Sequence, residues 1–410
     1  MPSNNLDIEN SLEKLENWID GNGFKGWDPY DLKGTSLYLF FLSKNTFFLK
    51  AMQLLCYYIF DVFFPNFSRK LLAVDKKINA KGIGLLMKGH LVRYTTTNDN
   101  KYLNKAIICS DWLVQNSSKD YEGISWGYPF DWASKIFIPK GTPSSVVSCI
   151  VGDSFWDMYQ ITKDIKYLEV CKGICYFLFT ELKITFKDDT SCCHSYTPID
   201  DFQVHNANLF VSEFLLRVGK ETQDEAYIQR AISSANFALK YQLDNGSIEY
   251  WAQSHNSYKS GQMDIYHSGY EIRALYKIWK LTDLPEFEES YKRYYTFFIN
   301  SYFTEKNEIK LKPTEQYPID IHGCAEAIIM LTVLKRSESL VDEVVEWTIR
   351  NMQKNRSWFL YRKVKLPLGI KKDINIPYLR WGQGWMYIAL ASYIKQKQVA
   401  MQHKHGDRYD

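Results

Sequence analysis

Several things are missing from this chain of 410 residues, and each absence removes a class of answer. No Pro/Ser-rich linker divides it, so its length reads as one unit rather than a string of modules. No apolar run reaches the ~20 residues a membrane span needs. The most apolar stretch, the aromatic run from Phe47 to Phe64, is interrupted by Lys50 and Asp61 and reads as an amphipathic helix. With Arg69, Lys70, Lys76 and Lys77 downstream, membrane contact is expected to be peripheral at most. No dense basic stripe accompanies the aromatics and the formal charge is only +3, which argues against nucleic acid as a partner. The eight cysteines lack paired metal-ligand spacing, and Cys192-Cys193-His194 has no matching cluster elsewhere. Neither a metal nor another cofactor is therefore expected. Cys171 and Cys175, four residues apart, suit buried free thiols. No signal peptide opens the sequence, so the expected location is cytoplasmic.

What is abundant is aromatic side chain: 29 Tyr, 24 Phe and 12 Trp. Most are core fillers, but aromatic faces also stack on the C–H faces of sugars. A second feature is repetition. A threonine stands five residues before an aromatic at Thr97, Thr162, Thr222 and Thr282, with intervals of 65, 60 and 60 residues. A small residue follows the aromatic in three copies, at Ala106, Cys171 and Ala231. A fixed period of this kind sets architecture before any single motif does. The unit is a helical hairpin with the threonine at its turn. Hairpins are expected at 84–94 with 102–116, 143–160 with 166–182, 206–219 with 226–242, 265–281 with 286–302, and 321–335 with 339–354. A last helix at 381–396 needs a partner, and the N-terminal helices within residues 1–80 are available to close the ring. The expected fold is an all-α (α/α)6 toroid over residues 1–396, with short β-segments in the loops, such as 247–251, and a frayed tail over 397–410.

The chemically informative residues share one phase of the repeat, just before or within the first turn of each hairpin's first helix. They read Trp126-Gly127-Tyr128-Pro129-Phe130-Asp131-Trp132, then Asp200-Asp201-Phe202-Gln203-Val204-His205-Asn206. Next come Asp264-Ile265-Tyr266-His267-Ser268-Gly269-Tyr270, Tyr317-Pro318-Ile319-Asp320-Ile321-His322-Gly323, and Tyr378-Leu379-Arg380-Trp381. His205, His267 and His322 are 62 and 55 residues apart, near the repeat period. Equal phase in a closed ring means one end of the ring, so these residues are expected to meet at a funnel mouth, with the threonine turns at the other end. An aspartate before an apolar run also serves as a helix N-cap, and Asp131, Asp201, Asp264 and Asp320 all suit that role. Recurrence of His, Asp, Tyr and Trp together is what points to a pocket.

Three chemistries suit such a pocket. Glycoside hydrolysis needs two carboxyl groups flanking the scissile bond, and Asp131, Asp201, Asp264 and Asp320 are candidates. Epimerisation or uronate elimination needs a base beside a carbonyl or carboxylate. His267 and His322 suit that work, and Arg380 suits a substrate carboxylate. Isoprenoid chemistry also occurs on helical toroids, but Asp200-Asp201 alone is a weak acidic motif.

At Gly26-Trp27-Asp28-Pro29-Tyr30-Asp31, the Trp126–Trp132 run, His267-Ser268-Gly269-Tyr270 and Tyr317–His322, the chain resembles the six-hairpin, glycosidase-like proteins of bacterial capsule and surface-polysaccharide biosynthesis. Many of these carry the label delta-aminolevulinate dehydratase. That enzyme is a parallel β/α barrel, which sixty-residue helical hairpins exclude. The resemblance covers most of the chain and implies an (α/α)6 toroid working on a polysaccharide or oligosaccharide precursor, free or lipid-linked. It does not fix a reaction. Cys324 and Glu326 depart from the pattern, which has Ala and Gln there; the added carboxylate either changes the chemistry or faces solvent. The expected catalytic set is Asp131, Asp201, Asp264, His267, Asp320 and His322. The expected substrate-binding set is Trp126, Tyr128, Trp132, His205, Asn206, Tyr270, Arg380 and Trp381. The rival to an enzyme is a glycan-binding or assembly protein that keeps the pocket without a competent acid/base pair.

Overall fold

The computed structural model describes residues 3–42, 47–133, 135–252 and 263–406. Its frame is a ring of helical hairpins. The helices in chain order are α1 (Ser3–Asn22), α2 (Ser36–Leu42), α3 (Phe47–Cys56), α4 (Pro65–Leu71), α5 (Ala80–Thr97), α6 (Asn100–Gln115), α7 (Ser145–Thr162) and α8 (Ile165–Thr180). They continue as α9 (His205–Thr222), α10 (Glu225–Lys240), α11 (Ile265–Thr282), α12 (Pro285–Tyr302), α13 (Ile321–Leu334), α14 (Glu338–Thr348) and α15 (Gly384–Gly406).

The repeated threonine is the last residue of an inner helix. Thr97, Thr162, Thr222 and Thr282 each donate their hydroxyl to the carbonyl four residues back. The next residue turns the chain in the left-handed region: Asn98, Lys163, Gln223 and Asp283 have φ of 55° to 57°. An aspartate then caps the outer helix in three of the four turns, Asp99, Asp164 and Asp224 accepting from a first-turn N–H. In the fourth, Leu284 precedes Pro285 at the helix start, where the missing N–H costs nothing. The aromatic of the repeat then falls on the outer helix's inward side, and Ala106, Cys171 and Ala231 one turn on are fully buried.

Each inner helix packs on the next: α5 on α7, α7 on α9, α9 on α11, α11 on α13, α13 on α15, and α15 back on α5. Helices α6, α8, α10, α12 and α14 cover them from outside. The sixth hairpin joins the chain ends, with α1 packed on α15. Of the described N-terminal helices α1 packs on α15, while the 25–34 segment lies against the mouth through the Leu379–Gln383 turn and Trp132–Ala133. Helix α15 also runs past residue 396 to Gly406, and residues 407–410 lie outside the described residues. One continuous apolar core fills the space between the two layers.

β-Structure is confined to short antiparallel pieces between helices. The largest joins Ile319–Asp320, Arg362–Lys365 and Lys371–Ile374, with Asp320 directly opposite Arg362. In the 247–251 segment only Trp251 makes a bridge, to Val204.

Candidate functional site

The N-termini of the inner helices and the threonine turns stand at opposite ends of the ring, so His205, His267 and His322 do share one end. Helix geometry then decides which of their side chains face the axis. The second residues of α5, α9, α11 and α13 are Lys81, Asn206, Tyr266 and His322, and all four are buried. The rings of Tyr266 and His322 stack at 4.7 Å, so these positions meet. One residue earlier is about 100° round the helix. His205 is therefore turned outward: its ring lies against Phe237 of α10 and Tyr241 just after it, at 5.2 and 5.6 Å. Burial there lowers its pKa to about 3.

His322 is the centre of the mouth. Its Nε2 is hydrogen-bonded to the Tyr270 hydroxyl, and its ring is held by Tyr266, Trp381 and Trp385, with centroids within 5.0 Å. Its Nδ1 is buried without a partner among the described residues. Burial, with Lys81 and Arg380 nearby, pushes its pKa well below the usual histidine value, so the imidazole is neutral. An orphaned nitrogen on a neutral buried ring is the kind of group a ligand satisfies.

His267 lies on the other side of Tyr266, ring centroids 4.4 Å apart. Asp264 does two things at once. It caps α11, accepting from the His267 backbone N–H, and its other oxygen accepts from His267 Nδ1 at 2.7 Å. A carboxylate on Nδ1 fixes the tautomer that leaves Nε2 as proton acceptor. The His267 side chain is partly exposed and also faces Tyr250 at 4.6 Å.

Asp320 likewise caps α13 through the His322 N–H. Its oxygens are further taken by Arg362 Nε and the Trp381 indole N–H. Capping and site membership coincide at Asp264 and Asp320; neither excludes the other. Asp131 and Asp201 are not caps. Asp131 accepts the Lys140 N–H at 2.7 Å, closing the loop around the Trp132–Ala133 and Phe137–Ile138 strands. Asp201 is exposed, and it is Asp200 that is buried, accepting the N–H groups of Tyr196, Thr197 and Phe202.

Trp381 and Arg380 sit in a π-helical turn, Leu379–Gln383, that precedes α15. Arg380 was expected to face a substrate carboxylate, but Asp28 takes it first. Nε and Nη2 both donate to that buried carboxylate, the latter at 2.6 Å. The guanidinium also lies over the rings of Tyr30, Tyr128 and Trp381. Tyr128 and Trp132 belong to the mouth, with Trp132 stacked on Tyr30 at 6.1 Å and edge-on to Tyr128 at 5.7 Å. Trp126 does not: it is 1% exposed, stacks on Phe155 and donates its indole N–H to the Leu113 carbonyl. It is a core residue. Asn206 keeps a buried Oδ1 without a partner among the described residues.

A cleft of about 570 Å³ adjoins this cluster and shares Tyr30, Arg362 and Trp381 with it; Leu54, Tyr57, Asp61 and Tyr361 also line it, whereas His267 and His322 do not. Below, ion pairs plug the axis. Lys88 and Arg217 meet Asp153 at 2.8 and 2.7 Å, Arg217 also meets Glu213, and Arg273 holds Glu326. Burial alone would raise Asp153, but Lys277, Lys88 and Arg217 hold it well below the usual carboxylate range. Glu326 is thus fully buried on Arg273, rather than facing solvent.

Sequence reasoning missed Lys81, Tyr266, Arg362, Tyr250 and Trp385. Lys81 and Tyr266 carried a readable signal, their place as second residue of an inner helix. The Lys81 ammonium lies 5.6 Å over the Trp385 ring, and burial with Arg380 pushes its pKa well below the usual lysine range. Among the described residues no three His, Cys, Asp or Glu side chains group as a metal site. Cys192 and His194 meet Ser234, at 3.4 and 3.2 Å, and His194 also meets Asn208.

No protein-family model and no curated protein matches the chain. Solved structures do. The sugar epimerase from a ruminal bacterium superposes with a TM-score of 0.61 at 10% identity, over 79% of this chain and 90% of that one. Cellobiose 2-epimerase from Bacillus thermoamylovorans gives 0.60 at 10% identity, over 78% and 88%. The GH76 alpha-mannanase BT2949 from Bacteroides thetaiotaomicron gives 0.60 at 12% identity, over 88% and 99%. These likenesses establish the fold, an (α/α)6 toroid.

Proposed function

We propose that the mouth of this toroid binds a saccharide and moves a proton at a carbon next to its carbonyl, so that the protein acts as a sugar epimerase or isomerase. The observation that carries this reading is the pair of imidazoles either side of Tyr266. His267 is oriented by Asp264 to offer Nε2 as base, and His322 is held neutral with a ring nitrogen that has no partner among the described residues. Proton abstraction beside a carbonyl develops negative charge on oxygen, and preorganised positive groups stabilise it. The N-termini of the inner helices converge on the mouth and supply such a field. Trp381, Tyr30 and Trp132 provide faces for the ring to stack on.

Hydrolysis by paired carboxylates is less well supported. Asp320 is committed to three donors, and Asp264 to a cap and an imidazole. The solved relatives described as epimerases favour the same choice as this geometry. The sequence resemblance supports a substrate among precursors of a surface polysaccharide.

The test is incubation of the protein with a panel of reducing mono- and disaccharides in deuterated water, read by NMR and mass spectrometry. One deuteron gained at the carbon next to the carbonyl, with an epimer or isomer as product, is expected. Glycosidic cleavage without that exchange would replace this reading by hydrolysis, and tight binding with neither would leave a glycan-binding protein.

A further inference from the structure

The outer wall of the cleft is apolar on its far side as well. Leu54, Leu55, Phe64, Phe67 and Leu71, on α3, α4 and the turn between them, are all at least half exposed; Phe67 reaches 63% and Leu71 64%. The hairpin joining Arg362–Lys365 to Lys371–Ile374 adds Ile370 and, at its tip, Leu368, which is 98% exposed. The two belong to one surface: Lys372 Nζ lies 5.2 Å over the Phe63 ring, and Asn66 donates to the Asn375 carbonyl at 3.0 Å. Contiguous exposed apolar side chains of this size mark an interaction site.

Charge identifies what the surface meets. Residues 65–77 carry four Lys and Arg against one Asp, and residues 362–373 carry five against one, in a chain whose formal charge is only +3. The rest of the protein is therefore net acidic, and Lys70, Lys76, Lys77, Lys365 and Lys371 stand exposed beside the apolar patch, while Arg69 and Arg362 are paired with Asp31 and Asp320. Leucine and phenylalanine ringed by lysine suit the headgroup boundary of an anionic bilayer. A second copy of the chain would set two basic rims against each other. No helix among the described residues is long and apolar enough to cross a membrane, so the surface lies on the bilayer.

We propose that α3, α4 and the 366–370 hairpin tip form a docking surface for an anionic membrane. Leu54 belongs both to this surface and to the cleft wall, so docking sets the cleft at headgroup level. There a glycan carried on a membrane lipid reaches Tyr30 and Trp381 without leaving the bilayer. That substrate class rests on the saccharide reading above; the docking does not.

The full chain is tested by co-sedimentation with phosphatidylcholine vesicles, with and without phosphatidylglycerol. Binding is expected only with the anionic lipid, and it should weaken as salt is raised. Leu368→Glu, and separately Phe67→Glu with Leu71→Glu, should each lower binding about tenfold or more while the circular dichroism melt is unchanged. Lys365→Glu with Lys371→Glu should weaken binding and flatten its salt dependence. Absence of binding to anionic vesicles, or binding indifferent to Leu368→Glu, overturns the proposal. So does a dimer in light scattering that the same substitutions dissolve. Vesicle binding needs no sugar turnover, so its failure leaves the epimerase reading standing, and the reverse also holds.

Discussion

Asp264 allows its two roles to be separated by one substitution. Asparagine caps a helix as well as aspartate does, so Asp264→Asn should keep the cap on the His267 N–H. What it loses is the carboxylate on Nδ1, and with it the tautomer and orientation of the imidazole. Stability within about 0.5 kcal/mol of the parent is expected, with deuterium exchange slowed by about a hundredfold or more. Thermal melts and exchange rates on the same preparation check both. An early melt with full exchange would reduce Asp264 to a cap. Asp28 and Arg380 make the opposite prediction. The pair is buried and bidentate, so Asp28→Asn or Arg380→Met alone should destabilise by roughly 3–5 kcal/mol through the charge left behind. The double variant should recover part of that loss in a denaturant-unfolding cycle.

The inner helices approach so closely that single hydrogens matter. A Cβ at Gly89 of α5 would stand 2.3 Å from the Tyr387 ring of α15, and one at Gly152 of α7 would stand 2.5 Å from the Phe214 ring of α9. Gly89→Ala and Gly152→Ala should each destabilise by about 1–3 kcal/mol, measured by urea unfolding, since neither aromatic has room to retreat. The turns at the far end predict gains instead. Lys163 and Gln223 hold positive φ only because the hairpin demands it. Glycine enters that region freely, so Lys163→Gly and Gln223→Gly should each raise stability by ~0.5 kcal/mol, the relief of strain exceeding the added entropy of the unfolded chain.

Across the whole molecule, buried histidines set the response to acid. Burial lowers His90 and His205 to about 3 and His194 to about 4, and burial with Lys81 and Arg380 depresses His322. Unfolded, each takes up a proton near pH ~6.5; folded, none does until much lower pH. The stability they confer is complete above ~6.5 and is lost as pH falls toward the folded values, by up to ~1.4 kcal/mol per unit for each histidine. Melting temperature should therefore drop steadily from pH ~6.5 downward. His205→Phe, which suits the pocket of Phe237 and Tyr241, should make that drop shallower.

The sequence by itself determined the repeat, and with it the toroid, because the turns after Thr97, Thr162 and Thr222 are built from local bonds. A threonine hydroxyl to its own helix, a left-handed residue and an aspartate cap need nothing from elsewhere in the chain. It also determined that His205, His267 and His322 share one end of the ring, since phase along the repeat is height in the ring. Only the tertiary structure decided direction and partnership. His205 and His322 sit at the same height, yet one residue of helical rotation sends the first into the outer layer and the second to the axis. Arg380 is taken by Asp28 from 352 residues away, and Asp320 by Arg362 across a strand pair, so neither is a free charge. Such pairings depend on ring closure bringing distant segments together, and no local pattern records them.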